Sequence, residues 1–299
     1  MKKTEKKPIV FIIMIGLMLI LGITFCIFHT HKKQEKKGKQ NALFSWERDV
    51  MEEENRKELF ETMDKLGLHI LYQNIPKYSE KEREMVLSFL QDAKKRKIAV
   101  YALLGEPSYG LEADGAHMKK KLTQIQQWKE ISKEEDLIAG VLMDVEPHIT
   151  EEWKIDEVDA MTTYVSAMKS AYEKAREEHL TFGVCIPFYY EENGKGELLE
   201  ELIKSGCDFI AIMNYLKRDE IGQISTEMSL CGRYNKTAVI IYEMQKPGVY
   251  DLRESNTYYH EGSEAVKESA KKVEKAYPDS FFGYAFHEYN ATREVLAGE

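Results

Sequence analysis

Cysteine is scarce in this chain, four residues in 299. Cys26 falls in a long apolar run. Cys185, Cys207 and Cys231 are odd in number and lack metal-ligand spacing, so no disulfide framework is implied, and Cys185 reads as a small buried strand residue. Proline is also sparse, at seven residues, and no Pro/Gly/Ser-rich stretch is long enough to divide the chain after its first forty residues. That excludes a linker-separated array and leaves one domain. Positive charge is outnumbered in the same region. Residues 1–40 hold nine Lys and two Glu, leaving 33 basic and 49 acidic side chains beyond them, a net of −16. A domain that acidic is a poor nucleic-acid binder but does not repel neutral polymers such as polysaccharides. No Gly-x-Gly-x-x-Gly turn follows the first strand segment, which removes the usual dinucleotide cradle.

What is present begins with an uncharged run of 21 residues, Pro8 to Phe28, behind the basic MKKTEKK. It is long enough to cross a bilayer as a helix, and small residues suited to signal cleavage do not follow it. The expectation is an uncleaved single-pass anchor in the cell membrane: a cytoplasmic tail at 1–7, the bilayer-embedded span at 8–28, a basic tether at 29–40, and a domain over 41–299 on the extracellular side. Lysines flank the span almost equally, so the orientation rests on the short N-terminus before a long domain rather than on the positive-inside rule.

From residue 41 onward, short apolar runs alternate with amphipathic stretches. The runs are Leu43–Trp46, His69–Asn74, Ile98–Leu104, a fourth from Ile138, Phe182–Pro187, Phe209–Met213, Ala238–Glu243 and Phe282–Phe286. Between them, apolar residues at helical spacing predict seven helices, among them 52–66, a second starting at Ser79 with Glu82 in capping-box register, 156–178 and 262–277. Eight β/α repeats in about 250 residues predict an α/β fold, a closed (β/α)8 TIM barrel, with an open doubly wound sheet as the competitor.

Such a barrel gathers the C-terminal ends of its strands on one face. Here those ends supply Trp46 and Glu47, Tyr72 and Gln73, Glu106, Asp144 and Glu146, Tyr189, Asn214 and Tyr215, Glu243, and His287. The fourth end, in IAGVLMDVEPH, is the most informative. Period two along a strand points Asp144 and Glu146 to the same side, so that one carboxylate tunes the other; the bland reading makes them loop acids capping the next helix. Acids with aromatics at one end suit hydrolysis of a sugar–sugar bond, which needs a protonated acid at the leaving oxygen and a second group at the anomeric carbon. No cofactor is expected. Glu47, Asp144, Glu243 and His287 have donor chemistry for a divalent ion, but His287 has no second histidine at metal-ligand spacing, so no metal is expected either.

GVLMDVEP resembles the end of the glycoside hydrolase family 18 signature, Asp-x-x-Asp-x-Asp-x-Glu, with Asp144 and Glu146 on its last Asp and Glu. IMNYL at 212–216 is similar to that family's Met-x-Tyr segment and places Tyr215 on its tyrosine. The resemblance implies Glu146 as general acid, Asp144 orienting a substrate N-acetyl group, and attack by that group in place of an enzyme nucleophile. Ala139 and Leu142 occupy the two earlier aspartate positions, and His287 stands where the family floors its sugar site with tryptophan. The wider set DVEP, IPF, MNY, YE and FHEY looks closer still to a group of bacterial membrane-anchored or secreted barrel proteins, which implies the fold and leaves the reaction open. A second scheme uses the same positions: retaining (β/α)8 glycosidases keep an acid at strand four and a nucleophile at strand seven, which Glu146 and Glu243 match by strand count.

Two functions are therefore expected to compete. One is a membrane-anchored hydrolase of a cell-wall or matrix polysaccharide, with Trp46, Glu47, Tyr72, Gln73, Glu106, Tyr189, Asn214 and His287 as substrate-binding candidates. The other is an inactive glycan-binding barrel acting as a surface receptor or assembly factor.

Overall fold

The computed structural model describes residues 40–132 and 136–299. The proposed tail and span at 1–28, and the tether up to residue 39, lie outside the described residues. No helix among the described residues is long and apolar enough to cross a membrane.

Eight parallel strands close on themselves in sequence order: β1 Ala42–Ser45, β2 Ile70–Gln73, β3 Ala99–Leu104, β4 Gly140–Met143, β5 Thr181–Pro187, β6 Phe209–Met213, β7 Thr237–Glu243 and β8 Phe281–His287. The closing pair sets Ala42 beside Ala285 and Leu43 beside Phe286, so no edge is left open. The open-sheet alternative is thereby excluded.

Nine α-helices lie among the described residues: α1 Glu53–Leu66, α2 Arg83–Lys95, α3 Ala116–Ser132, α4 Glu151–Ile155, α5 Glu157–Glu177, α6 Gly196–Ser205, α7 Ser225–Tyr234, α8 Gly262–Ala276 and α9 Tyr289–Gly298. Seven were legible as periodic stretches. The second begins later than its Ser79–Glu82 signal implies: Glu82 closes a turn on the Ser79 carbonyl, and no side chain caps α2. α4 and α9 were not anticipated. One turn and a half held by the Thr150 cap leaves α4 too short for a periodic signal. α9 follows β8 with no intervening loop, and its start is marked only by the Glu288 side chain, which accepts from the Asn290 and Ala291 amides.

Alternation along each strand sorts the core into two layers. Phe44, Tyr72, Leu103, Leu142, Cys185, Ala211, Val239 and Ala285 point inward and fill the barrel, while their neighbours pack outward against the helices. α5 covers the outside with Met161, Tyr164, Val165, Met168 and Tyr172, a stripe at helical spacing. One glycine is required by contact: a Cβ on Gly105 would sit 1.8 Å from the Asp144 carbonyl oxygen, so only glycine lets the end of β3 run this close to the end of β4.

One buried acid in the outer shell makes stability depend on pH. Glu227 on α7 is fully buried. Burial pushes its carboxyl up to about 9, and the Glu191 charge adds to the shift. An acid whose folded pKa exceeds its unfolded value binds more protons when folded, so stability falls as pH rises from about 4.5 toward 9. Glu227→Gln removes that slope. Thermal unfolding of residues 41–299 should show the variant equal to the wild type near pH 4.5 and more stable at pH 8 by at least about 1 kcal/mol, about 2–4 °C in Tm. An unchanged difference across that range would contradict the buried neutral carboxyl.

Candidate active site

Strand parity decides which member of each strand-end pair reaches the barrel mouth. On β4, Leu142 points inward and Val141 and Met143 outward; continuing the alternation, Asp144 and Glu146 face in and Val145 packs into the outer layer. The same rule turns Tyr215 inward after Met213, Glu243 after Ile241, His287 after Ala285 and Trp46 after Phe44. These six side chains line one cavity of about 500 Å³, with buried Phe44, Met213 and Ile241 in its depth and exposed Ile149 and Tyr250 at its mouth.

The other strand-end candidates are placed elsewhere. Tyr72 faces inward but sits too deep, 1% exposed, with its ring 4.9 Å from Phe44 and 5.8 Å from Tyr101. Gln73 and Asn214 have the opposite parity and are buried. The Gln73 amide donates to the Glu47 and Asn74 carbonyls, and the Asn214 amide donates to the Glu220 carbonyl at 3.0 Å. None of these three lines the cavity, and their contacts place them in the scaffold around it. Glu47 accepts a hydrogen bond from Asn290 at 2.6 Å, and Glu106 is exposed beside Gly105; neither lines the cavity. Tyr189 is half-buried and presents its ring edge to His148 at 5.9 Å; burial, then the Glu146 charge, pushes its hydroxyl up to about 12.

Inside the cavity the acids differ in what they are tied to. Glu243 is 3% exposed and fully engaged: Oε2 lies 2.8 Å from His287 Nδ1, and Oε1 accepts from the Gln245 amide at 2.8 Å. Burial opposes charge on His287, but the Glu243 charge and hydrogen bond, with Asp144 and Glu288 beyond, override it and push the imidazole up to about 9. His287 is therefore an imidazolium at neutral pH, in edge contact with Phe44 at 5.4 Å and tilted against Tyr215 at 6.2 Å. Burial raises Asp144, while His287 and a hydrogen bond from the Cys185 thiol hold it back. Glu146 is pushed up to about 7, first by burial and then by Asp144, with His287 opposing. Glu146 thus holds a proton near neutrality, as a general acid must. Tyr215 is kept neutral, its hydroxyl raised well above the ordinary range by burial and by the surrounding acids.

Three participants escaped the sequence reading. Cys185 is legible as a buried strand residue, but its inward parity beside Asp144 depends on the register of β5. His148 stands two residues after Glu146 within the same stretch, with Nε2 3.5 Å from Glu146 Oε2. Tyr250 reaches the mouth from the β7–α8 loop on a left-handed backbone, φ 46°, which no local sequence signal marks. Among the described residues no group of three His, Cys, Asp or Glu side chains is arranged to hold a metal ion.

No protein-family model matches the chain, and no curated protein does. Solved structures do match. A chitinase from Bacteroides thetaiotaomicron is 12% identical with a TM-score of 0.54, over 86% of this chain and 95% of that one. A GH18 chitinase from Pseudoalteromonas aurantia is 10% identical with a TM-score of 0.54, over 86% of this chain and 98% of that one. At such identities the likeness is one of fold. The domain is a closed (β/α)8 barrel like that of the family 18 glycoside hydrolases.

Proposed function

We propose that the domain is a glycoside hydrolase acting on an N-acetylhexosamine-containing polysaccharide of the cell wall or matrix, with Glu146 as general acid. The observation that carries this reading is the pair Asp144 and Glu146, turned together into a cavity that also holds Tyr215 and Trp46. Glu146, its carboxyl at about 7, donates its proton to the glycosidic oxygen. Asp144 and the neutral Tyr215 hydroxyl hold the acetamide group, one accepting from its N–H and the other donating to its carbonyl. That carbonyl then attacks the anomeric carbon as the glycosidic C–O bond breaks and the alcohol leaves, and water, losing a proton to the Glu146 carboxylate, opens the cyclic intermediate and regenerates the acid. Glu243 does not suit the nucleophile's role, because both of its oxygens are already engaged and it is almost fully buried. The two structural neighbours are named as chitinases, which supports the substrate class. The run at 8–28 is read as the anchor, with the barrel outside the cell.

One observation favours a binding barrel instead. Leu142, fully buried, precedes Asp144 in the inward row and puts an apolar side chain where the resembling signature carries an acid. Reducing-end release by residues 41–299 from a panel of bacterial polysaccharides separates the two readings. Glu146→Gln should lower release by about a hundred- to ten-thousand-fold while leaving glycan binding intact. Binding without release in the wild type would establish the receptor instead.

The pH profile gives a further check. Glu146 must carry its proton, so activity should fall as pH rises through about 7. The Asp144 charge raises the Glu146 pKa, so Asp144→Asn should move that alkaline limb to lower pH as well as slowing turnover. An alkaline limb that does not move would remove Asp144 from the acid's surroundings.

A further inference from the structure

His148 is brought to Glu146 by local chain geometry. Pro147 opens a single 3-10 turn, Pro147–Ile149, which ends at Thr150, whose hydroxyl and amide both donate to the Pro147 carbonyl. The turn folds His148 back over Glu146, and Thr150 then caps α4 through the Trp153 amide. Trp153 stacks on Tyr190 with centroids 5.3 Å apart, and the His148 ring meets Tyr190 edge-on at 5.7 Å. The imidazole is thus boxed by aromatic rings and only 12% exposed.

Its hydrogen bonding assigns its tautomer. His148 Nδ1 lies 3.0 Å from the hydroxyl of Tyr190, a residue with no exposed surface. Burial holds that hydroxyl far above its ordinary range, so it is protonated and donates, making Nδ1 the acceptor. Burial also pushes His148 down to about 4, so the ring is neutral and its one proton is on Nε2, the nitrogen 3.5 Å from Glu146 Oε2. At 3.5 Å the pair is in reach of a hydrogen bond without having formed one, the spacing of a catalytic contact that a small adjustment closes.

We infer that His148 is a positioning residue for Glu146: gripped at Nδ1 by the Tyr190 hydroxyl, it directs Nε2–H at Glu146 Oε2 and leaves the acid proton on Oε1. This rests on the proposed role of Glu146. It divides the carboxyl into a held oxygen and a reacting one, so the proton is presented in one direction only.

The other groups facing Glu146 are Asp144 on the same strand end, His287 with Glu243 behind it, the Cys185 thiol, and the hydroxyls of Tyr164, Tyr189, Tyr190 and Tyr215. The thiol and the four hydroxyls are all raised by burial and stay neutral near pH 7, so a change at His148 is read there against Asp144 and the His287–Glu243 pair alone.

The test follows the Glu146 carboxyl directly, by NMR of the ¹³C-glutamate-labelled domain with Glu146→Gln assigning the signal, and needs no substrate. A donor at Oε2 favours the carboxylate, so His148→Phe should raise the titration midpoint by about half a unit or more. Tyr190→Phe, which keeps the ring and loses only the hydroxyl, should move it the same way, while His148→Gln, whose amide also donates, should restore it. On a cleaved glycan, His148→Phe should lower kcat by about ten- to a hundredfold with KM little changed. A folded His148→Phe protein with an unmoved midpoint, or a His148→Gln protein as impaired as His148→Phe, would overturn the inference. Absence of turnover in the wild type would count against the hydrolase reading, whereas the midpoint shift decides the positioning role by itself.

Discussion

The structure depends first on the period of two along a strand once the sheet is closed. In an open doubly wound sheet both faces lie under helices, so parity alone singles out neither of a strand's last residues. In a closed barrel one side is the packed interior and its mouth, and the other lies under a helix. Leu142, Asp144 and Glu146 form one inward row, as do Met213 and Tyr215, and Ala285 and His287. A one-residue slip in any strand would exchange an active-site side chain for its neighbour, turning Asn214 in and Tyr215 out. The closed ladder from β1 round to β8 and back to β1, with one register shift at Ala238/Val239 low on β7, opposes that slip, because moving one strand breaks its pairing on both sides. Precision at the mouth is in this sense a property of the whole barrel.

That constraint also explains how far the sequence could be read. Eight repeats were visible because each buried strand is a short apolar run and each covering helix keeps a 3.6-residue stripe. The β4 end was visible because an Asp-x-Glu pair at the close of such a run puts two acids on one side. Choosing between adjacent residues was harder. The pairs Trp46/Glu47 and Asn214/Tyr215 were read together, and only the register against neighbouring strands shows that the first turns in at 46 and the second at 215. Tyr72 has the right parity and the wrong depth, a matter of the stagger between strands that no single strand records. His148 was overlooked because its role needs a proline-started turn to fold it back on its own neighbour and a tyrosine from the next repeat to fix its proton.

Burial and charge act together in the cavity. Removing two neighbouring carboxyls from water disfavours two negative charges at once, and a single imidazolium, already committed to Glu243, cannot satisfy both. The group that gives way is Glu146. Its raised pKa therefore follows from the way the fold packs acids around one cation, and the aromatic box that keeps His148 neutral ensures that no second cation cancels the effect.

The Glu243–His287 pair then bears on which chemistry the cavity suits. In the reaction proposed for it, positive charge grows at the anomeric carbon as the leaving oxygen takes the Glu146 proton. An unpaired imidazolium in the same cavity would oppose that charge. Bound to Glu243, it forms a polar wall whose positive charge is already matched. The cavity therefore sets no free cation against the positive charge as it develops, while Glu243 is withheld from covalent attack. A site arranged this way works best on a sugar that brings its own nucleophile. An acetamide beside the anomeric carbon fits that requirement, and it would leave Asp144 to stabilise the cation that the acetamide forms.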